Sequence, residues 1–121
     1  LVTLLQEMPI NEATQMAASL KDDQELGIES LVINEVFQVD RDVLDEKARA
    51  ACPEGASDEA WAAIEKARRD LEMLHDAQEI YRERLKVEVK APQVELPLLL
   101  KSPLGKDDME IMADALEEHF E

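Results

Sequence analysis

Two short apolar stretches, LVTLL at residues 1–5 and IESLVIN at residues 28–34, decide the fold that this sequence predicts. Continuous apolar runs of this length are typical of strands buried on both faces, as in a parallel sheet. Between them, Pro9 and Asn11 open a predicted helix with Asn11 as its N-cap, and Gly27 ends that helix. The order strand, helix, strand over roughly thirty residues predicts a βαβ unit with parallel strands.

A helical hairpin is predicted over residues 40–90, inserted into this α/β framework. Asp40 caps the first helix and Ser57 caps the second, which runs to about Lys90. The apolar residues of the second helix follow the alternating spacing of three and four of a heptad seam, and the polar Gln78 interrupts the seam. Its members are Ile64, Ala67, Leu71, Leu74, Tyr81 and Leu85. The far half of this helix is expected to pack on the sheet near Val94 and Leu96.

The last part of the chain predicts a third strand over residues 93–97 and a final helix. Gly105 and Asp107 open that helix, and Asp107 with Glu110 matches the spacing of a capping box. Together these elements predict an α/β fold with a partial parallel sheet over residues 1–121.

Composition narrows the classes of function. The 121 residues include 29 acidic and 13 basic ones, for a net charge of −16, which excludes a general nucleic-acid binder. Hydrophobic residues make up 45%, enough for the core of one domain. The single cysteine, Cys52, excludes an internal disulfide and fits a reducing cytoplasm. The chain starts at Leu1 inside an apolar run, which leads us to expect a piece of a longer protein.

Residues that carry catalytic chemistry are sparse. The three glycines lie far apart, so no loop of this sequence can wrap a phosphate with clustered backbone amides, and no catalytic residue is predicted. His75 has Glu72 and Glu79 one helical turn away on either side. This spacing can hold a divalent metal, but pairing along the helix surface is the more common outcome, so no metal site is assigned.

The two predicted strand ends are more informative. The first strand ends in Gln6 and Glu7, and the second ends in Asn34 and Glu35. Ligands of open α/β sheets bind just beyond the carboxyl ends of parallel strands. The Asn34 amide presents a donor beside an acceptor, which matches the edge of a purine. Asn34 is therefore a candidate base reader; the alternative is that it only turns the chain after the strand.

Three segments together resemble a known family. VTLLQEMPINEA (residues 2–13), VINEVF (residues 32–37) and VELPLL (residues 94–99) are similar, in this order, to the C-terminal third of the arsenite-pump, or anion-transporting, ATPase family. This family also includes the ATPase that targets tail-anchored membrane proteins. QEIY at residues 78–81 and Gly105 before the last helix fit the same pattern.

The resemblance implies a P-loop NTPase-like fold and a dimeric enzyme that binds ATP with Mg and hydrolyses it. In the family, the Asn after the second strand binds adenine, which corresponds to Asn34. The segment that closes over the base corresponds to residues 97–100 and so to Pro97 and Leu98. An acidic residue after the first strand contacts nucleotide across the dimer; Gln6 stands at that position, with Glu7 adjacent.

The implied parent protein is a cytoplasmic homodimer that serves a membrane anion pump or a hydrophobic client protein. Leu104 stands where the family has Arg, and the chain lacks the CxxC pair that bridges some of these dimers through zinc. The phosphate loop would lie upstream, so these residues alone should be inactive and hold no cofactor. The alternative hypothesis is a non-enzymatic module whose helical hairpin binds a protein partner.

Overall fold

The computed structural model describes residues 1–24, 26–38 and 40–120. These residues form an α/β fold with one small parallel sheet and four helices. In chain order the elements are β1 (Val2–Leu4), α1 (Glu7–Gln24), β2 (Leu31–Val36), α2 (Arg41–Ala51), α3 (Asp58–Glu88), β3 (Gln93–Pro97) and α4 (Lys106–Phe120). The prediction of an α/β fold is confirmed.

The described strands form a parallel sheet in the order β1-β2-β3, with β2 in the centre. Val2 pairs with Val32, and Val32 pairs with Val94, so these three side chains lie on the same face. The predicted parallel βαβ unit is therefore present as β1, α1 and β2. Because the three strands are parallel, their carboxyl ends all lie at the same edge of the sheet, which we call the carboxyl edge.

The bounds of β2 differ from the predicted strand at residues 28–34. The strand begins at Leu31 and runs on to Val36, so Asn34 lies inside it rather than at its end. A bulge makes this possible: Ile33 pairs with Glu95 and Val36 pairs with Pro97, so β2 uses one residue more than β3. Glu35, within the bulge, has a φ of 57°.

Helix α1 also begins earlier than predicted, at Glu7. Asn11 is therefore inside the helix and is not its N-cap. Pro9 lies in the first turn, where the N–H that proline lacks would have no partner within the helix anyway. The helix ends at Gln24, before Gly27, and Glu25 lies outside the described residues.

The predicted caps of α2 and α3 are both confirmed. Asp40 accepts from the Asp42 N–H at 3.1 Å, and Ser57 accepts from the Ala60 N–H at 3.2 Å. These caps start α2 and α3, and the turn between them contains Gly55 with a φ of 79°, which glycine adopts without strain.

Helices α2 and α3 lie antiparallel and in contact. Arg41 at the start of α2 pairs with Asp76, and Asp45 accepts from Arg68 at 3.2 Å, nearer the start of α3. Leu44 is the side chain that α2 buries. The predicted seam on α3 is less closed than expected, because Leu74 is 37% exposed. A thin apolar contact and ion pairs therefore join this helix pair.

The main core lies between the sheet and helices α1 and α3. Leu85 of α3 and Val89, the C-cap of that helix, pack there against Leu31 and Ile33 of β2 and Ile10 of α1. Ile10, Leu31, Ile33 and Leu85 have no exposed surface. The C-terminal half of α3 thus packs on the sheet, as predicted.

Helix α4 packs on the opposite face of the sheet. Val94 and Leu96 alternate along β3 with Gln93 and Glu95, whose side chains bond to α3. The expectation that α3 packs near Val94 and Leu96 is therefore wrong, and α4 packs against β3 instead. This cover reaches only part of the face, because Val2 on β1 is 67% exposed.

We predict that Leu85→Ala lowers the free energy of unfolding by about 2–5 kcal/mol, because it leaves a cavity in the main core. Val87→Ala is the matched control: Val87 lies two residues away on the same helix and is 69% exposed. This substitution should change the free energy of unfolding by less than about 0.5 kcal/mol. Urea denaturation followed by circular dichroism measures both, and equal losses would contradict the described core.

Candidate functional site

The carboxyl edge of the sheet gathers the residues that the sequence singles out. Leu4, the last residue of β1, pairs with Asn34, and Pro97, the last residue of β3, pairs with Val36. The Leu98 N–H donates to the Val36 carbonyl at 2.8 Å, so β3 stays bonded to β2 beyond its own end. Asn34 lies between the end of β1, with Gln6, and the end of β3, with Pro97 and Leu98.

Gln6 and Glu7 lie where β1 passes into α1. The Gln6 carbonyl accepts from the Ile10 N–H at 3.1 Å, which places Gln6 at the N-cap position. Both side chains are exposed. Glu7 occupies the first turn of α1, where the helix dipole favours a negative charge. Both candidates for the acidic contact therefore lie exposed at the carboxyl edge of the sheet.

Asn34 is half-buried on the face that α4 covers only in part. It follows Ile33, which points into the main core, so alternation sends the Asn34 side chain to the other face, as for Val32. Glu35 is exposed and holds its positive φ immediately after Asn34. The bulge thus fixes the backbone conformation immediately after Asn34, the candidate base reader.

Gln78 on α3 holds this bulge from the core side. Its Oε1 accepts from the Phe37 N–H at 2.8 Å, and its Nε2 donates to the Glu35 carbonyl at 3.1 Å. The residue is only 6% exposed, and Phe37 is 4% exposed. Both ends of the amide are therefore satisfied in a site with little water. A buried carbonyl or N–H left without a partner costs about 1–3 kcal/mol.

Arg82, one helical turn after Gln78, bonds α3 to the neighbouring strand. Its Nη2 donates to Glu95 Oε2 at 3.2 Å, and its guanidinium also pairs with Glu79. The Arg82 side chain is 15% exposed. Gln78 and Arg82 thus attach one face of α3 to β2 and β3 just below the carboxyl edge.

The segment after β3 is held at its far end by Asp108. This residue is buried and accepts from the Gly105 N–H and from Lys101 Nζ, each at 2.7 Å. The predicted capping box of Asp107 and Glu110 is wrong by two positions, because α4 begins after Gly105 and Asp108 is the residue whose side chain accepts from the Gly105 N–H. The segment that begins with Pro97 and Leu98 is therefore anchored at both ends.

The two glutamates on either side of His75 form ion pairs with arginines. Glu72 accepts from Arg68 at 2.8 Å, and Glu79 pairs with Arg82. His75 Nδ1 lies 3.4 Å from Asp76 Oδ1. The described residues contain no group of three or more side chains able to hold a metal ion. In the same residues, no helix is both long and apolar enough to cross a bilayer.

Two residues of this edge are missed by sequence reasoning. Gln78 interrupts the seam, and an uncharged polar residue at a seam position is a signal of a specific buried partner. Asp108 follows another aspartate, Asp107, and the sequence alone does not show which of the two bonds to the helix start. The partners of Gln78 are backbone groups more than forty residues away, which no local pattern identifies, whereas Asp108 bonds to Gly105 and Lys101 within its own segment.

Comparison with protein-family profiles, with curated proteins and with solved structures finds no match to this chain. The likeness to the arsenite-pump ATPases therefore rests on the quoted residues and their order alone.

We predict that Asp108 makes the stability of the chain depend on pH in the acid range. Lys101 and, after it, the Gly105 N–H hold the pKa of the Asp108 carboxyl below its ordinary value of 3.8. Since the folded-state pKa is the lower one, this stabilisation is present above about pH 4 and is lost as the pH falls through the folded-state pKa. Asp108→Asn should flatten the acid limb of the curve of unfolding free energy against pH.

Asp107→Asn changes an exposed carboxylate in the same turn and is the matched control. Urea melts at a series of pH values from neutral to about pH 2 cover the range in which carboxyls titrate. If the two variants show the same acid limb, the anchoring of the segment by Asp108 is wrong.

Proposed function

We propose that this chain is the C-terminal part of a cytoplasmic ATPase of the arsenite-pump type and supplies its adenine pocket and part of its dimer surface. The observation that carries the proposal is the place of the Asn34 amide. It lies on the central strand of a parallel sheet, near the carboxyl edge, between the segment from Gln6 and the segment from Pro97.

The chemistry of the amide suits this role. The exposed edge of adenine offers an acceptor nitrogen beside an amino donor, and a side-chain amide offers the complementary pair. Asn34 is half-buried, which excludes part of the water that would compete for its amide. Pro97 and Leu98 supply apolar surface at the same edge, and the anchored segment after them is the cover for the base.

The wider architecture fits the same proposal. We infer that the three strands belong to a larger P-loop NTPase-like sheet and that residues 40–90 are a helical hairpin inserted into it. The parent protein would bind ATP with Mg, and its phosphate loop would come from other residues. Gln6 or Glu7 would approach nucleotide across a homodimer. The membrane anion pump or hydrophobic client would be served by parts outside this chain.

We predict that Asn34→Ala in the full-length protein weakens ATP binding by about 1–3 kcal/mol, or about 5–150-fold, because one amide contact to the base is lost. Isothermal titration calorimetry with ATP and with GTP measures the effect. The loss should be confined to ATP, so the preference for ATP over GTP should fall. Gln15→Ala, which removes an exposed amide from α1, is the control and should match wild type. Unchanged ATP affinity in Asn34→Ala would reject the adenine assignment.

We also predict that the 121-residue chain alone releases no phosphate from ATP above a buffer control. Its glycines are dispersed, and hydrolysis requires a loop of clustered amides around the phosphates. A malachite-green assay on rigorously purified chain tests this. Turnover that co-purifies with the chain through several columns would overturn it.

One observation favours the alternative of a protein-interaction module. Met73, Ile80 and Val87 recur every seven residues along α3 and are 70%, 69% and 69% exposed. Exposed apolar residues at this interval form a stripe along one side of α3, and another helix could cover such a stripe. The two proposals differ in the parent reading frame: a glycine-rich phosphate loop upstream supports the ATPase, and its absence supports the module.

A further inference from the structure

The bulge in β2 needs support that the sheet itself does not provide. Regular strands satisfy their carbonyls and N–H groups from neighbouring strands, but a bulge leaves the extra residue unpaired. In this chain the extra residue falls between Ile33 and Val36, and the Glu35 carbonyl and the Phe37 N–H bond to the Gln78 side chain. The two bonds thus span the bulge on both sides of Val36.

This support matters because the bulge requires a backbone conformation at Glu35 that a non-glycine residue does not favour. A non-glycine residue at a φ of 57° lies in a region that L-residues disfavour. A regular ladder without the bulge would shift the pairing of β2 with β3 by one residue, and such a shift moves the affected side chains to the other face. The bulge therefore fixes which side chains lie at the carboxyl edge and where they point.

We propose that Gln78 is a positioning residue for nucleotide recognition: it holds the bulge at Glu35 and thereby sets the orientation of the adjacent Asn34 amide toward the base. This inference rests on the proposed function of Asn34. Gln78 touches no nucleotide, because it approaches β2 from the core side whereas Asn34 faces the other side. Its effect on binding passes through the backbone of Glu35.

A purely structural role for Gln78 leads to a different expectation. If the amide only attached α3 to the sheet, its loss would lower stability and weaken all nucleotides alike. If Gln78 positions Asn34, its loss should change the preference for ATP over GTP. The oriented Asn34 amide distinguishes adenine from guanine, whereas contacts to the phosphates are the same for both nucleotides. The ratio of ATP to GTP affinity is therefore the readout that separates the two roles.

The experiment compares Gln78→Met and Gln78→Glu with wild type in the full-length protein, by calorimetry with ATP and GTP. Methionine keeps the length and apolar bulk of the side chain and removes both bonds. Ionised glutamate keeps an acceptor for the Phe37 N–H and lacks the donor for the Glu35 carbonyl. Both variants should lower the ATP-to-GTP affinity ratio by at least about fivefold, the weak end of the effect expected for losing one amide contact.

Arg82→Gln is the matched control, because it removes the neighbouring attachment of α3 to Glu95 without touching the bulge. It should reduce the melting temperature and leave the affinity ratio unchanged. The double variant Asn34→Ala with Gln78→Met should show no further loss of the ratio beyond Asn34→Ala, because both changes remove the same recognition.

The outcomes separate the two proposals. If Asn34→Ala leaves the ratio unchanged, the adenine pocket is wrong and the role of Gln78 is rejected with it. If Asn34→Ala lowers the ratio but the folded Gln78 variants keep the wild-type ratio, the pocket stands and the positioning role is wrong. Should Gln78→Met fail to fold, Gln78→Glu retains one of the two bonds and tests the positioning role by the same ratio.

Discussion

The pair of hydrogen bonds between the Gln78 side chain and the backbone of Glu35 and Phe37 is the constraint on which the carboxyl edge of the sheet depends. The apolar contacts of Leu85 and Val89 draw α3 onto the sheet, but such contacts are not directional. A buried amide with two fixed partners is directional, because any slide of α3 along β2 leaves a carbonyl and an N–H without partners. The polar interruption of the apolar seam is thus what fixes the position of the helix.

Ion pairs stabilise contacts along and between the helices, but they do not determine how α3 packs on the sheet. Arg68 lies between Asp45, Glu65 and Glu72, and its pKa is raised, first of all by its hydrogen bonds to Glu65. Ion pairs with exposed partners contribute little, with a median of about 0–1 kcal/mol. Because α2 buries little beyond Leu44, the register of α2 on α3 depends on such pairs more than the rest of the fold does. We expect α2 to be the helix most sensitive to ionic strength.

The sequence predicts the elements whose causes are local. Asp40 and Ser57 cap their helices through groups two or three residues away, and β3 follows from its own alternation of residues. The bulge at Glu35 is not predictable in this way, because the bonds that stabilise it come from a helix more than forty residues later in the chain. The same reason explains the candidate site: Asn34 stands out by its residue type and place, whereas the role of Gln78 requires knowledge of the paired strands. Asn11 is mistaken for a cap because the local pattern does not show where the preceding strand ends.

The two proposed activities do not compete for the same surface. Successive residues of a helix are 100° apart, so Ile80 lies about 200° around α3 from Gln78, on the side away from the sheet. Met73 and Val87 share that side because they lie seven residues from Ile80 in either direction. Binding of a helix along this stripe would leave the Gln78 bonds and the carboxyl edge in place. An observed partner on α3 therefore bears on the interaction module alone, and the ATPase proposal depends on the chemistry at Asn34.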